Sequence, residues 1–168
     1  MSALPPVVPP LLSVCGLAKT YEGRGGSRLL ALDGVSFDLA RGEVLGIVGE
    51  SGCGKSTLGR ALLRLVKPSA GQVLFEGEDI LALSRKALAR RRADMQIVFQ
   101  DPAGALNPRH TVATLIGEPL SIHGRWSRAR LLELLDMVGL PRDALGRFAH
   151  EFSGGQRQRI AIARALAL

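Results

Sequence analysis

Three observations predict an α/β fold. A β-rich run, Glu43–Val48, stops at a glycine-rich turn and gives way to a helical pattern; other short runs of strand length flank it; and a stretch reaching to about His150 reads as helical and set into them. The 168 residues are 46% apolar and 22% charged, ordinary values for one globular domain.

Residues 1–10, with Pro5, Pro6, Pro9 and Pro10, are expected as an extended Pro-rich leader; the prolines and the lack of a preceding basic segment argue against a signal peptide. Leu11–Ala18 reads as a strand, and Val35–Leu39 as another because it alternates apolar and polar residues, with Tyr21–Gly26 a flexible turn between them. Glu43–Val48 is a strand ended by Gly49. Ser56–Val66 is a helix by the spacing of Leu58, Leu62, Leu63 and Leu65, and Lys67-Pro68 stops it. Gln72–Phe75 is a strand, Glu76–Asp79 a turn and Ser84–Arg92 an Ala/Arg-rich helix; Met95–Phe99 is a strand of buried character that ends at Gln100-Asp101-Pro102. Val112–Leu120 and Arg128–Val138 follow as helices, the second with Leu131, Leu132, Leu134, Leu135 and Val138 on one apolar stripe closed by Gly139 and Pro141. Gln156–Leu168 is the last helix, and no internal repeat is visible.

Lys and Arg number 22 against 15 Asp and Glu, a formal charge of +7. The excess is scattered Arg. Only Arg90-Arg91-Arg92 forms a run, without interleaved aromatics, so a solvated face is preferred to a nucleic-acid surface. Cys15 and Cys53 make no disulfide framework, and a reducing cytosol is expected. No apolar run is long enough to predict a membrane span.

Gly49-Glu50-Ser51-Gly52-Cys53-Gly54-Lys55-Ser56, followed by Thr57, has the G-x-x-x-x-G-K-[ST] pattern between a strand and a helix. Glycines let backbone N–H groups turn inward around phosphate oxygens, and the N-terminus of the following helix faces the same charge. Lys55 is then placed to reach the β- and γ-phosphates, and the Ser56 hydroxyl to ligate magnesium. A nucleoside triphosphate is the expected ligand.

Phe152-Ser153-Gly154-Gly155-Gln156 opens the last helix and puts a hydroxyl and free amides at its N-terminus, a second anion site; an N-cap with a glycine-rich entry is the alternative. With Arg157-Gln158-Arg159-Ile160-Ala161-Ile162-Ala163-Arg164-Ala165 after it, the stretch resembles the signature motif of ABC transporter ATPases, with Phe152 where many members have Leu. The resemblance runs from about Leu11 to Leu168. It implies a phosphate-loop NTPase core of the ABC type, with an antiparallel β subdomain and a helical insertion subdomain at about 101–155. Residues 11–168 would be a partial nucleotide-binding domain, C-terminally truncated before the Walker B strand and the switch His. His110, His123 and His150 precede the signature, cannot stand in for that His and are expected at surface or turn positions.

In that family two such domains meet head to tail, each ATP lying between the phosphate loop of one and the signature of the other. By resemblance, Ser153, Gly154, Gly155 and Gln156 act on a partner's nucleotide. Gln100 resembles the Q-loop glutamine, a magnesium ligand beside Ser56 and, with Lys55, a catalytic residue. Tyr21, the single Tyr, stands just after the first predicted strand, where the family places an aromatic ring that stacks on adenine. Val98–Val112 and His150–Arg159 resemble the ATPases of oligopeptide and dipeptide importers, although Ala103 and Ala105 stand where those carry an aromatic residue and a Ser.

The resemblance thus implies an ATP-binding subunit of an ABC importer, using ATP and Mg2+ to drive uptake of peptides or similar small solutes from the cytoplasmic face of the bacterial inner membrane. The expected partners are a second ABC ATPase subunit, like or unlike, integral membrane permeases and, indirectly, a solute-binding protein, with no nucleic acid. The alternatives are a soluble ABC ATPase acting on nucleic acid or the ribosome, and a nucleotide-binding fragment without turnover. The 168 residues alone are expected to be weakly stable and catalytically silent.

Overall fold

The computed structural model describes residues 9–101, 104 and 106–168; most of the Pro-rich leader, and Pro102, Ala103 and Ala105, lie outside the described residues. The chain divides into two compact units, one through Ala89 and one from Arg90 onward.

The first unit is built on a four-stranded antiparallel sheet, β1 (Leu12–Glu22), β2 (Arg28–Leu39), β3 (Ala70–Phe75) and β4 (Glu78–Asp79), in the order β2-β1-β3-β4. β1 and β2 form a hairpin whose pairing runs from Leu12↔Leu39 to Glu22↔Arg28, so both strands are longer than their apolar patterns indicate. A short 3-10 turn at Arg24–Gly26 closes it. β1 is irregular between Val14 and Leu17 along β2 and between Cys15 and Ala18 along β3, and at its crossing with β3 a Cβ on Gly71 would lie 2.5 Å from Leu17 Cα, which fixes glycine there. Val14, Leu17, Leu32 and Val73 are buried, together with Leu58 and Ala61 of helix α1 (Lys55–Leu62), which packs against β2. Helix α1 stops at Leu62, short of the predicted Val66, and Arg64 follows with φ of 50°.

Two predicted strands do not form. Glu43–Val48 and Met95–Phe99 have no ladder partner among the described residues. Val44 and Val48 are 94% and 92% exposed, and Val98 and Phe99 are exposed as well, against the buried character predicted for Met95–Phe99. β-propensity describes how a side chain fits a pleated, half-buried surface, whereas a strand is a property of a pair. Among the described residues, every pair that does form is antiparallel.

The second unit is helical. After α2 (Arg85–Arg91), whose last residues begin it, come α3 (Val112–Ile122), α4 (Arg128–Met137) and α5 (Gly154–Ala165), with 3-10 turns at Arg142–Gly146 and Ala149–Glu151. The periodicity that predicts these helices also selects the core: Leu115, Ile116, Leu120, Leu131, Leu134, Leu135 and Ile160 form one buried cluster, against which Leu132 and Val138 of the predicted stripe are only partly covered. Thr111 caps α3 by accepting from Thr114 N. Among the described residues no helix is long and apolar enough to cross a membrane.

Candidate functional site

The phosphate-loop pattern lies between the unpaired segment Glu43–Val48 and α1. Gly54 is the N-cap of α1, and no side chain caps the helix there, so the first-turn N–H groups have no side-chain acceptor. Gly54 has φ of 98°, and a Cβ on it would lie 2.3 Å from the Ala31 carbonyl oxygen of β2. Both the left-handed backbone and the contact demand glycine, and the contact seats the loop on β2.

The Lys55 ammonium folds back over the loop, donating to the carbonyls of Gly49 at 2.7 Å and Glu50 at 2.6 Å and lying 3.4 Å from Cys53 Sγ. It has no carboxylate partner among the described residues. A cation held by neutral carbonyls, beside an uncapped helix N-terminus, leaves an uncompensated positive field at a loop that fits an anion. Glu50, Ser51 and Ser56 are exposed along it and Thr57 is half-buried.

Tyr21 is not beyond the first strand but inside β1, paired with Leu29 of β2, because the hairpin continues through polar residues that an apolar pattern does not reveal. The residue is 37% exposed, and the Lys19 ammonium sits over its ring at 4.8 Å from the centroid while donating to the Lys67 carbonyl at 2.9 Å. Sequence reasoning passed over Lys19; its signal is the i, i+2 spacing to the single Tyr on one face of a strand.

Gln100 lies in the second unit, exposed at a bend that follows the unpaired segment Met95–Phe99. Ser153, Gly154, Gly155 and Gln156 are exposed in the same unit at the start of α5. The Ser153 hydroxyl accepts from Gln156 N at 3.3 Å, and Gln156 Oε1 accepts from Ser153 N at 3.0 Å, so the N-cap alternative is realised as a reciprocal capping box. The Gln156 amide is therefore engaged, contrary to the expectation that amides there are free. A Cβ on Gly154 or Gly155 would meet nothing within 4 Å, which leaves open space over the helix entry. Phe152 is buried beneath it, with the Arg147 guanidinium 4.5 Å above its ring. Of the three histidines, His150 is exposed in a 3-10 turn and stacks on Phe148, while His110 and His123 are half-buried. Among the described residues, no group of three or more His, Cys, Asp or Glu could hold a metal ion.

The sequence profile of the ABC transporter family matches residues 32–168. The oligopeptide transport ATP-binding protein AppF of Bacillus subtilis is 55% identical over 143 residues, which cover 82% of this chain and 44% of that protein. The dipeptide transport ATP-binding protein DppF of Haemophilus influenzae is 46% identical over 168 residues, covering 95% of this chain and 51% of its own. Among solved structures, the dimeric post-hydrolysis state of the ATP-binding cassette MJ0796 bound to ADP and Pi superposes with a TM-score of 0.83 at 34% identity, covering 93% of this chain and 69% of that one. The chain spans about half the length of the curated relatives it matches.

Proposed function

Because the chain belongs to the ABC transporter family, we propose that it is the ATP-binding part of an ABC importer, in which ATP binding and hydrolysis drive uptake of peptides or similar small solutes. The observation that carries this reading is the Lys55 ammonium, held at 2.7 and 2.6 Å by the carbonyls of its own loop beside an uncapped helix N-terminus. Such a cation is ready to exchange neutral acceptors for the β- and γ-phosphates, whose charge-assisted hydrogen bonds are the stronger. The loop residues Gly49, Glu50, Ser51, Gly52, Cys53 and Gly54, with Ser56 and Thr57 in the first turn of α1, would wrap the same phosphates.

Magnesium, when bound, neutralises charge on the β- and γ-phosphates. Ser56 is exposed in the first turn and suits a cation that keeps few protein ligands. Gln100 is the second proposed ligand, and with Lys55 the proposed catalytic pair. Tyr21 would stack on the adenine ring. Ser153, Gly154, Gly155 and Gln156 would meet the nucleotide of a second subunit; the exposure of this helix entry and the dimeric state of the cassette MJ0796 support that arrangement. Residues 101–155 would act as the helical subdomain of the nucleotide-binding domain. Permease subunits, an indirectly coupled solute-binding protein and a peripheral position on the cytoplasmic face of the bacterial inner membrane complete the proposal. The peptide-transport names of the relatives support it over an ATPase acting on nucleic acid or the ribosome.

The test is labelled-ATP affinity of Lys55→Ala with magnesium present. Loss of binding is expected, since removing the ammonium leaves the phosphate charge uncompensated; unchanged affinity would overturn the assignment of the loop.

A further inference from the structure

We infer that Lys19 is a positioning residue for the nucleotide base: its ammonium fixes and polarises the Tyr21 ring on which the base stacks, an inference that rests on the stacking role proposed for Tyr21. Residues 19 and 21 project from the same face of β1, and the 4.8 Å from ammonium to ring centroid is within the range of a cation–π contact. A Lys head group on an open surface ordinarily keeps its rotamers and its water. This one is held, because it also donates to the Lys67 carbonyl at 2.9 Å.

That carbonyl belongs to a longer seam. Ser69 N donates to the Ala18 carbonyl at 2.8 Å, and Thr20 N donates to Ser69 Oγ at 3.0 Å, so Lys67–Ser69 is laced to the end of β1 on either side of Lys19. Lys67–Ser69 lies beyond α1, whose opposite end is the phosphate loop. The seam therefore ties the strand end that carries Tyr21 to the helix that carries Lys55, and fixes the span between a base and its phosphates. Seated on one face of the ring, the ammonium also draws electron density away from the other, where an electron-rich purine would stack. Lys19 thus acts through Tyr21 and not on the phosphates, and the ligand feature it serves is a purine base.

The experiment measures dissociation constants for ATP and for inorganic tripolyphosphate, which reads the phosphate loop without a base, on the intact protein and on Lys19→Met, Lys19→Arg, Tyr21→Ala and the Lys19→Met/Tyr21→Ala double variant. Lys19→Met is expected to weaken ATP by about two- to fivefold and to leave tripolyphosphate unchanged. Lys19→Arg, which keeps a cation over the ring, is expected to bind ATP as the unaltered protein does, and Lys19→Met to add nothing once Tyr21 is Ala. Tyr21→Ala binding ATP unchanged would overturn the stacking role and this inference with it. A loss of ATP affinity in Tyr21→Ala with none in Lys19→Met would overturn the role of Lys19 alone, and equal losses of ATP and tripolyphosphate in Lys19→Met would do the same by making Lys19 a staple of the fold.

Discussion

One added methyl group separates two glycines of the phosphate loop that look alike in the sequence. Both have left-handed backbones, φ of 85° at Gly52 and 98° at Gly54, but a Cβ on Gly52 meets nothing within 4 Å while one on Gly54 runs into the Ala31 carbonyl at 2.3 Å. Gly52→Ala is therefore expected to cost only its backbone strain, about 1–2 kcal/mol. Gly54→Ala should cost clearly more in urea unfolding and also lose ATP affinity, because the loop must leave β2 to make room. At the signature, Ser153 has two jobs to separate. Ser153→Ala removes the N-cap and is expected to destabilise by about 1 kcal/mol. Ser153→Arg should additionally stop turnover of an assembled pair while nucleotide binding by the single subunit persists; if binding falls as far as hydrolysis, the proposed action on a partner's nucleotide is wrong. The sequence made the chemistry at these positions legible, since Gly, Lys and Ser at fixed spacing name a phosphate site, but not which glycine is sterically indispensable, because Ala31 lies far away along the chain.

Helices were legible as elements because each carries its own periodicity, and α3 and α5 also carry a side-chain cap, at Thr111 and Ser153. The stripe Leu131, Leu134, Leu135 states which face of α4 is buried without reference to anything distant. Strands were less so: β1 and β2 extend through Lys19–Glu22 and Arg28–Leu30, whose place in the sheet is set by the hairpin register and not by apolar alternation, and this is why Tyr21 was expected beyond the strand. The link from α4 to the next 3-10 turn adds a pH-dependent contact. Arg142 donates to the Asp136 carboxylate at 2.8 Å, and this hydrogen bond, with the nearby positive charge, holds the carboxyl below the ordinary aspartate range. A depressed folded-state value means the contribution is present above the unfolded pKa and is lost as pH falls through the folded one. Asp136→Asn should therefore lower the melting temperature slightly near neutrality, and thermal scans at decreasing pH should show the difference from the unaltered chain closing. A constant difference down to the lowest pH would show that the contact does not depend on the carboxylate charge. The effect is small because both groups are exposed and screened.

Across the whole molecule the two units owe their order to different things, the first to an antiparallel sheet with α1 against it and the second to a contiguous leucine-rich cluster. Amide hydrogen exchange should map this directly. Amides in the paired stretches of β1 and in α4 are expected to be protected, while those of Val44–Val48 should exchange at nearly unprotected rates, since no ladder engages them among the described residues. Protection of Val44–Val48 equal to that of β1 would show that a partner strand forms in solution. The same segment bears on how the protein behaves in a tube. Val44, Leu45, Ile47 and Val48 are exposed on a backbone without regular structure, within a run that carries no proline and charge only at Glu43. Such a strip is a template onto which another chain can add a strand, so this protein should grow turbid as it is concentrated, and a lysine at position 48 would be the economical way to keep it clear.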